Sequence, residues 1–152
     1  MVDVDGSPLY SGNMIYAVSY QGRLKAIRAS DGAVVWEIEA SSYLDPAEGY
    51  GQVYVVTDED IIMAVDQQQG QVVWQQAGLR NRMLSSPLAF GNYVVVADDQ
   101  GYVHVIAQSD GRFVARRKIG RGGARSAMVQ RDGTVYVYTN KGRLVALEIR
   151  RG

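Results

Sequence analysis

An all-β fold assembled from repeated four-stranded antiparallel units is predicted by three observations. Valine occurs 21 times and tyrosine 10 times in 152 residues, an enrichment that suits pleated strands. A pair of short apolar runs joined by a tight turn recurs four times, with turn positions Gly22, Asp60, Gly101 and Gly142 spaced 38, 41 and 41 residues apart. None of the four units contains a capped stretch of helical period.

The first pair is Ile15–Val18 and Leu24–Ile27, around Gln21-Gly22. The second is Val53–Val56 and Ile62–Val65, around Glu59-Asp60. The third is Val94–Ala97 and Val103–Ile106, around Gln100-Gly101. The fourth is Val135–Tyr138 and Leu144–Leu147, around Lys141-Gly142. A second turn follows at Asp31-Gly32, Gln69-Gly70 and Asp110-Gly111, where glycine supplies the positive φ of a two-residue hairpin. Beyond it lie Val34-Val35-Trp36, Val72-Val73-Trp74 and Phe113-Val114-Ala115. Ahead of the pairs stand Ser7-Pro8-Leu9, Ser86-Pro87-Leu88 and Ser126-Ala127-Met128.

Four-stranded units at a period near 40 are the pattern of β-propeller blades. One blade leaves both of its faces bare, and stacking on neighbours buries them. A β-sandwich also has many short strands, but it does not account for a fixed period with the same turn chemistry at each return. The approximate blades are residues 3–40, 41–79, 80–120 and 121–152. The last lacks its outer strand, which leaves an edge at Leu144–Ile149 open to pairing with another chain. Four blades are few for a closed ring. A partial propeller is therefore expected, with further blades upstream and a ring closed by a second copy or a bound partner.

Composition narrows the chemistry. With no cysteine, disulfides, thiolate zinc sites and cysteine nucleophiles are excluded. A single histidine excludes a multi-histidine metal centre. His104 alternates with valines and reads as an exposed or hydrogen-bonded strand residue, not a catalytic base. Asp58-Glu59-Asp60 falls on a hairpin turn, where acidic residues are favoured without a cation. Asp3-Val4-Asp5-Gly6 has its glycine at the wrong place for an EF-hand loop. Gly120-Arg121-Gly122-Gly123 is followed by no helix and no phosphate-loop lysine, and reads as a connector between blades. No apolar run approaches the roughly 20 residues that span a bilayer. Met1 leads directly into polar sequence, so if the natural protein is exported this chain is a trimmed piece of it.

The net charge of zero hides a gradient. Residues 1–110 carry 5 basic and 14 acidic side chains, and residues 111–152 carry 11 basic and 2 acidic. The densest basic region, Arg116-Arg117-Lys118 with Arg121 and Arg125, has Phe113 as its only nearby aromatic. Nucleic-acid binding is not expected from it.

The tryptophan spacing carries a resemblance. Ala64, Asp66, Gly70 and Trp74 form A-x-D-x-x-x-G-x-x-x-W, and Ala26, Arg28, Gly32 and Trp36 depart from it only at Arg28. The third unit is degenerate, with Ala115 at the tryptophan position. This pattern resembles the tryptophan-docking motif of quinoprotein-like (PQQ-type) propellers, which implies that each ring packs across the gap between blades. From Asp3 to Ile149 the sequence also resembles the C-terminal half of the BamB family of outer-membrane assembly factors. Asp3-Val4-Asp5 with Ser7-Pro8, Tyr20-Gln21-Gly22, Val73-Trp74, Arg82–Pro87 and Asp110–Ala115 carry it.

That resemblance implies half of an eight-bladed ring and a non-enzymatic scaffold without a cofactor. It implies a lipoprotein at the periplasmic face of the outer membrane, its lipid anchor outside this sequence. It implies binding to the POTRA domains of BamA and help in delivering unfolded outer-membrane proteins. Asp3 and Asp5 match the family's BamA-binding acidic pair. Two carboxylates at this spacing point the same way on an extended segment. The same pair also suits a simple turn cap before Ser7-Pro8. Two other readings stay open. A generic propeller adaptor would differ only in its partner. A fragment of a PQQ-dependent dehydrogenase would, by family resemblance, need a vicinal disulfide and a calcium site.

Overall fold

The computed structural model describes residues 6–20 and 22–150. Among these described residues, fifteen strands form four separate antiparallel sheets in chain order. The first holds β1 (Leu9–Ser11), β2 (Met14–Ala17), β3 (Arg23–Arg28) and β4 (Val34–Glu39). The second holds β5 (Ala47–Gly49), β6 (Gln52–Val56), β7 (Ile62–Asp66) and β8 (Val72–Gln76). The third holds β9 (Leu88–Phe90), β10 (Tyr93–Ala97), β11 (Tyr102–Ala107) and β12 (Phe113–Lys118). The fourth holds β13 (Val129–Arg131), β14 (Thr134–Tyr138) and β15 (Leu144–Glu148). Each strand pairs with its sequence neighbour, so every sheet is a meander, and no helix occurs among the described residues. These are the blades of a β-propeller.

Alternation explains why the middle strands are apolar throughout. On β6, Val53 and Val55 join a core with Leu24, Ala26 and Trp36 of the first sheet. Tyr54 and Val56 point the other way, into a core with Val94, Val96 and Ile106 of the third. On β10 the roles divide again: Val94 and Val96 face the second sheet, while Val95 and Ala97 face Val135 and Val137 of the fourth. Both faces of an inner blade are buried, so period-2 side chains serve two cores. On β3 and β14 only alternate residues are buried. There the strand reads apolar-in and polar-out.

The turns differ from the two-residue hairpins expected from the sequence. The inner connections have three residues. Thr57 N–H donates to Ile61 O, Asp98 N–H to Tyr102 O and Thr139 N–H to Arg143 O, each at 2.8–2.9 Å. The third loop residue, Asp60, Gly101 or Gly142, is left-handed. The outer connections have four residues, closed by Gly32 N–H to Arg28 O, Gly70 N–H to Asp66 O and Gly111 N–H to Ala107 O at 2.8–3.0 Å. Asp31 and Asp110 brace two of these loops by accepting the N–H of Ala33 and Arg112. Those bonds hold both carboxyls below the usual carboxylate range.

Two innermost strands are placed only by the structure. The innermost strand of the second blade is β5, after Asp45-Pro46. In the fourth blade the matching strand begins at Val129, one residue later than Ser126-Ala127-Met128 placed it. All three prolines, Pro8, Pro46 and Pro87, immediately precede an innermost strand, a position that tolerates a missing N–H.

Candidate protein-interaction face

The tryptophans sit at bulges. In each of the first three blades the ladder between the last two strands skips one residue of the outer strand. The skip lies beside the pairs Ala26↔Trp36, Ala64↔Trp74 and Val105↔Ala115. A bulge re-aims the next side chain. Trp36 lies against Gly70 of the following blade, and its indole N–H donates to Gln67 O at 2.8 Å. Trp74 lies against Gly111 and donates to Gln108 O at 2.8 Å. Tyr16 and Tyr54 flank the rings at 6.0 Å between centroids. Asp66 accepts Gln68 and Gln69 N–H, fixing the loop that presents Gly70 and Gln67 O. Ala64 is fully buried opposite Trp74.

Gly32 has the same left-handed backbone as Gly111, but open space around its Cβ position. A Cβ on Gly111 would overlap the Trp74 ring. Gly32→Ala is therefore expected to cost about 1–2 kcal/mol from backbone handedness alone. Gly111→Ala should cost clearly more. Urea midpoints of the two variants measure the difference.

At one end of the sheets, connectors stitch the inner turns together. Asp58 N–H donates to Ser41 O, Asp99 N–H to Arg82 O and Asn140 N–H to Gly123 O, an identical bond repeated every 41 residues. Asp60 adds a second tie, accepting Met83 and Leu84 N–H at 3.1 and 3.0 Å. That tie holds Met83 in a left-handed conformation unusual for a bulky residue. Glu59 pairs with Arg80 at 2.6 Å, and Asp58 meets the Ser41 hydroxyl at 3.0 Å. All three acidic residues of this turn have structural partners.

Asp3 and Asp5 lie outside the described residues. The chain enters the described region at Gly6, whose Cα is packed against the Leu44 carbonyl. Ser7 N–H donates to the Asp45 carboxylate at 2.6 Å, and Asp45 N–H donates to the Ser86 hydroxyl at 3.1 Å. Nearby, on the turn and connector bonded through Ser42 N–H to Ser19 O, the rings of Tyr20 and Tyr43 meet at a tilt, 5.8 Å between centroids, and both are exposed. Exposed aromatic side chains of this kind are common anchors of protein interfaces.

Sequence reasoning missed one buried cluster. His104 is buried and hydrogen-bonded, the second of the two placements expected for it. Its Nε2 lies 2.7 Å from Asp98 Oδ2, which also receives Arg82 at 3.2 Å. Asp98 Oδ1 accepts Gln100 and Tyr102 N–H, both at 3.0 Å. Burial alone would raise the Asp98 carboxyl. The donors from His104, Tyr102 and Arg82 outweigh it and hold the group below the usual range. The basic strand β12 also has a second aromatic beside it: Arg116 lies over the Tyr102 ring at 5.1 Å.

Stacked four-stranded blades joined by ring-on-glycine contacts define a propeller of the PQQ-like repeat class. Solved structures share the fold, among them the following two. BamB from Moraxella catarrhalis superposes with a TM-score of 0.91 at 23% identity, over 97% of this chain and 44% of that one. Quinohemoprotein alcohol dehydrogenase from Comamonas testosteroni superposes at 0.78 and 16% identity, over 97% of this chain and 33% of that one. The family model described as "Outer membrane protein assembly factor BamB" matches residues 1–76 and 76–152, and the chain belongs to that family. The outer membrane protein assembly factor BamB of Pseudomonas aeruginosa is 41% identical over 150 residues. The match takes in 99% of this chain and 40% of that relative.

Proposed function

We propose that this chain is a non-catalytic, protein-binding part of the outer-membrane β-barrel assembly machinery. It works at the periplasmic face of the outer membrane, contacts the POTRA domains of BamA and aids delivery of unfolded barrel proteins. The observation that supports this best is the family match along the whole chain. Asp3 and Asp5 are the residues proposed to meet basic groups of the partner through charge-assisted hydrogen bonds. They precede Gly6 and Ser7, which are anchored to Leu44 and Asp45 near the exposed Tyr20–Tyr43 pair. Exposed aromatic anchors, together with an acidic pair earlier in the chain, suit a protein partner better than a small molecule.

Calorimetric titration of purified POTRA domains tests the proposal. The Asp3→Arg/Asp5→Arg variant should bind at least about tenfold more weakly than the parent, or about 1.4 kcal/mol, with an unchanged thermal midpoint. A chain extended upstream by further blades that still fails to bind would overturn it.

A further inference from the structure

Two of the three blade junctions are closed by an indole, and the third is not. Between the third and fourth sheets lies an open cleft of about 890 Å³. Its walls include Val105, Ala115, Val135, Leu147 and Ile149. Ala115 occupies the bulge position held by Trp36 and Trp74 in the earlier blades. Ile149 stands in the repeat where Gln67 and Gln108 receive an indole N–H on their carbonyls. The cleft thus has the apolar walls and repeat position of a ring site, without a ring of its own.

Its polar rim is basic. Arg117 projects from β12 on the Ala115 side of the strand and makes no ion pair among the described residues. Arg150 lies at the opposite lip, paired with Glu148, the one carboxylate lining the cleft among the described residues. The surrounding segment, residues 111–152, carries 11 basic side chains against 2 acidic.

We propose that this cleft receives an aromatic side chain presented by an acidic peptide segment of a partner protein. The ring takes the place that Trp36 and Trp74 fill at the other junctions, and flanking carboxylates meet Arg117 and Arg150. The two occupied junctions show what a ring needs there, and the charge of the rim selects the peptide that carries it. A pocket of this volume, its lining about equally apolar and polar, is of the size that binds side chains and small ligands.

The probe is the blocked peptide acetyl-Glu-Glu-Trp-Glu-Glu-amide, followed by calorimetry and by amide chemical shifts of Val105, Ala115 and Ile149. Saturable binding with a dissociation constant below about 1 mM is expected. The alanine-for-tryptophan peptide, and the peptide with lysines for glutamates, should each bind at least about tenfold more weakly. Ala115→Trp with Val105→Ala rebuilds the ring–alanine pair of the other blades. This variant should raise the thermal midpoint and abolish peptide binding. Arg117→Glu, at an exposed site, should leave the midpoint unchanged and weaken the acidic peptide alone. Equal binding of tryptophan and alanine peptides, or none at millimolar concentration, overturns the proposal. So does a concentration-dependent dimer whose formation excludes the peptide, because the cleft then belongs to a second copy of this chain.

Discussion

Trp74→Ala is expected to destabilise the protein by about 3–5 kcal/mol, the range for truncating a buried aromatic residue. For a domain of this size that corresponds to a thermal midpoint lowered by roughly 6–20 °C. Trp74 is 8% exposed and spans two blades. Its ring rests on Gly111 of the third blade and beside Tyr54 of its own, and its N–H satisfies Gln108 O. Alanine leaves a cavity between the blades and an acceptor that has lost its donor, and the two costs combine. Trp74→Phe separates them. Phenylalanine keeps most of the apolar contact and loses only the N–H, so its cost should be about 1–2 kcal/mol above any packing change. Trp36→Ala should behave similarly at the first junction, where the ring meets Gly70 and Gln67 O. Equal thermal midpoints for Trp74→Ala and the parent would show that the junction is not held by the ring.

The same junctions show what the sequence could carry. The strand pairs were legible because β6 and β10 run apolar on both faces and the turns return at a fixed step. The bulge was not. Nothing in Val34-Val35-Trp36 announces that Val35 drops out of the ladder, although that skip is what directs the ring outward from its sheet. Strand β5 was hidden because Ala47-Glu48-Gly49 lacks any apolar alternation. The usable signal was Pro46, which stands 38 residues after Pro8 and 41 before Pro87. The tight turns were correctly placed but came out one or two residues too short. Turn length depends on which carbonyl the closing N–H reaches, and local composition does not specify that. Asp3 and Asp5 were named from resemblance, and they lie outside the described residues.

The Asp98 cluster escaped for a different reason. Its members come from a connector, a turn and a strand, and only the fold brings Arg82 to Asp98. The repeat nevertheless held a clue. Thr57 and Thr139 occupy the equivalent turn position, and each hydroxyl accepts the N–H four residues on, from Ile61 and Arg143. Asp98 does the same with one oxygen, through Tyr102 N–H. A carboxylate in a place otherwise held by threonine has a second oxygen to satisfy. His104 faces it from the next strand, at the position of Met63 and Val145. A polar residue replacing apolar ones in the repeat, six places after a turn carboxylate, is the pattern a sequence reading should have paired.

Asp98→Ala is therefore expected to cost about 3–5 kcal/mol at neutral pH, the range for removing one partner of a buried charged pair. Asp98 is fully buried. Its loss would strand the His104 ring, the Arg82 guanidinium and two backbone N–H groups at once. An ionised carboxylate is acceptor-only, so the short contact requires the proton on Nε2 of His104. Asp98→Asn keeps the shape and can still accept at one oxygen. It should cost less than alanine, while losing the charge-assisted character of the His104 and Arg82 bonds. Acid titration distinguishes the charge from the packing. The folded-state Asp98 carboxyl lies below its ordinary value. The stability it contributes is fully present above the unfolded-state value of about 4, and is lost as pH falls through the lower folded-state value. In urea melts the parent should lose stability steadily below about pH 4. Asp98→Asn, with nothing to titrate at this site, should show a shallower slope over the same interval. Identical slopes for the two proteins would place the depressed carboxyl elsewhere. A cost for Asp98→Ala below about 1 kcal/mol would mean that the cluster is solvated in solution.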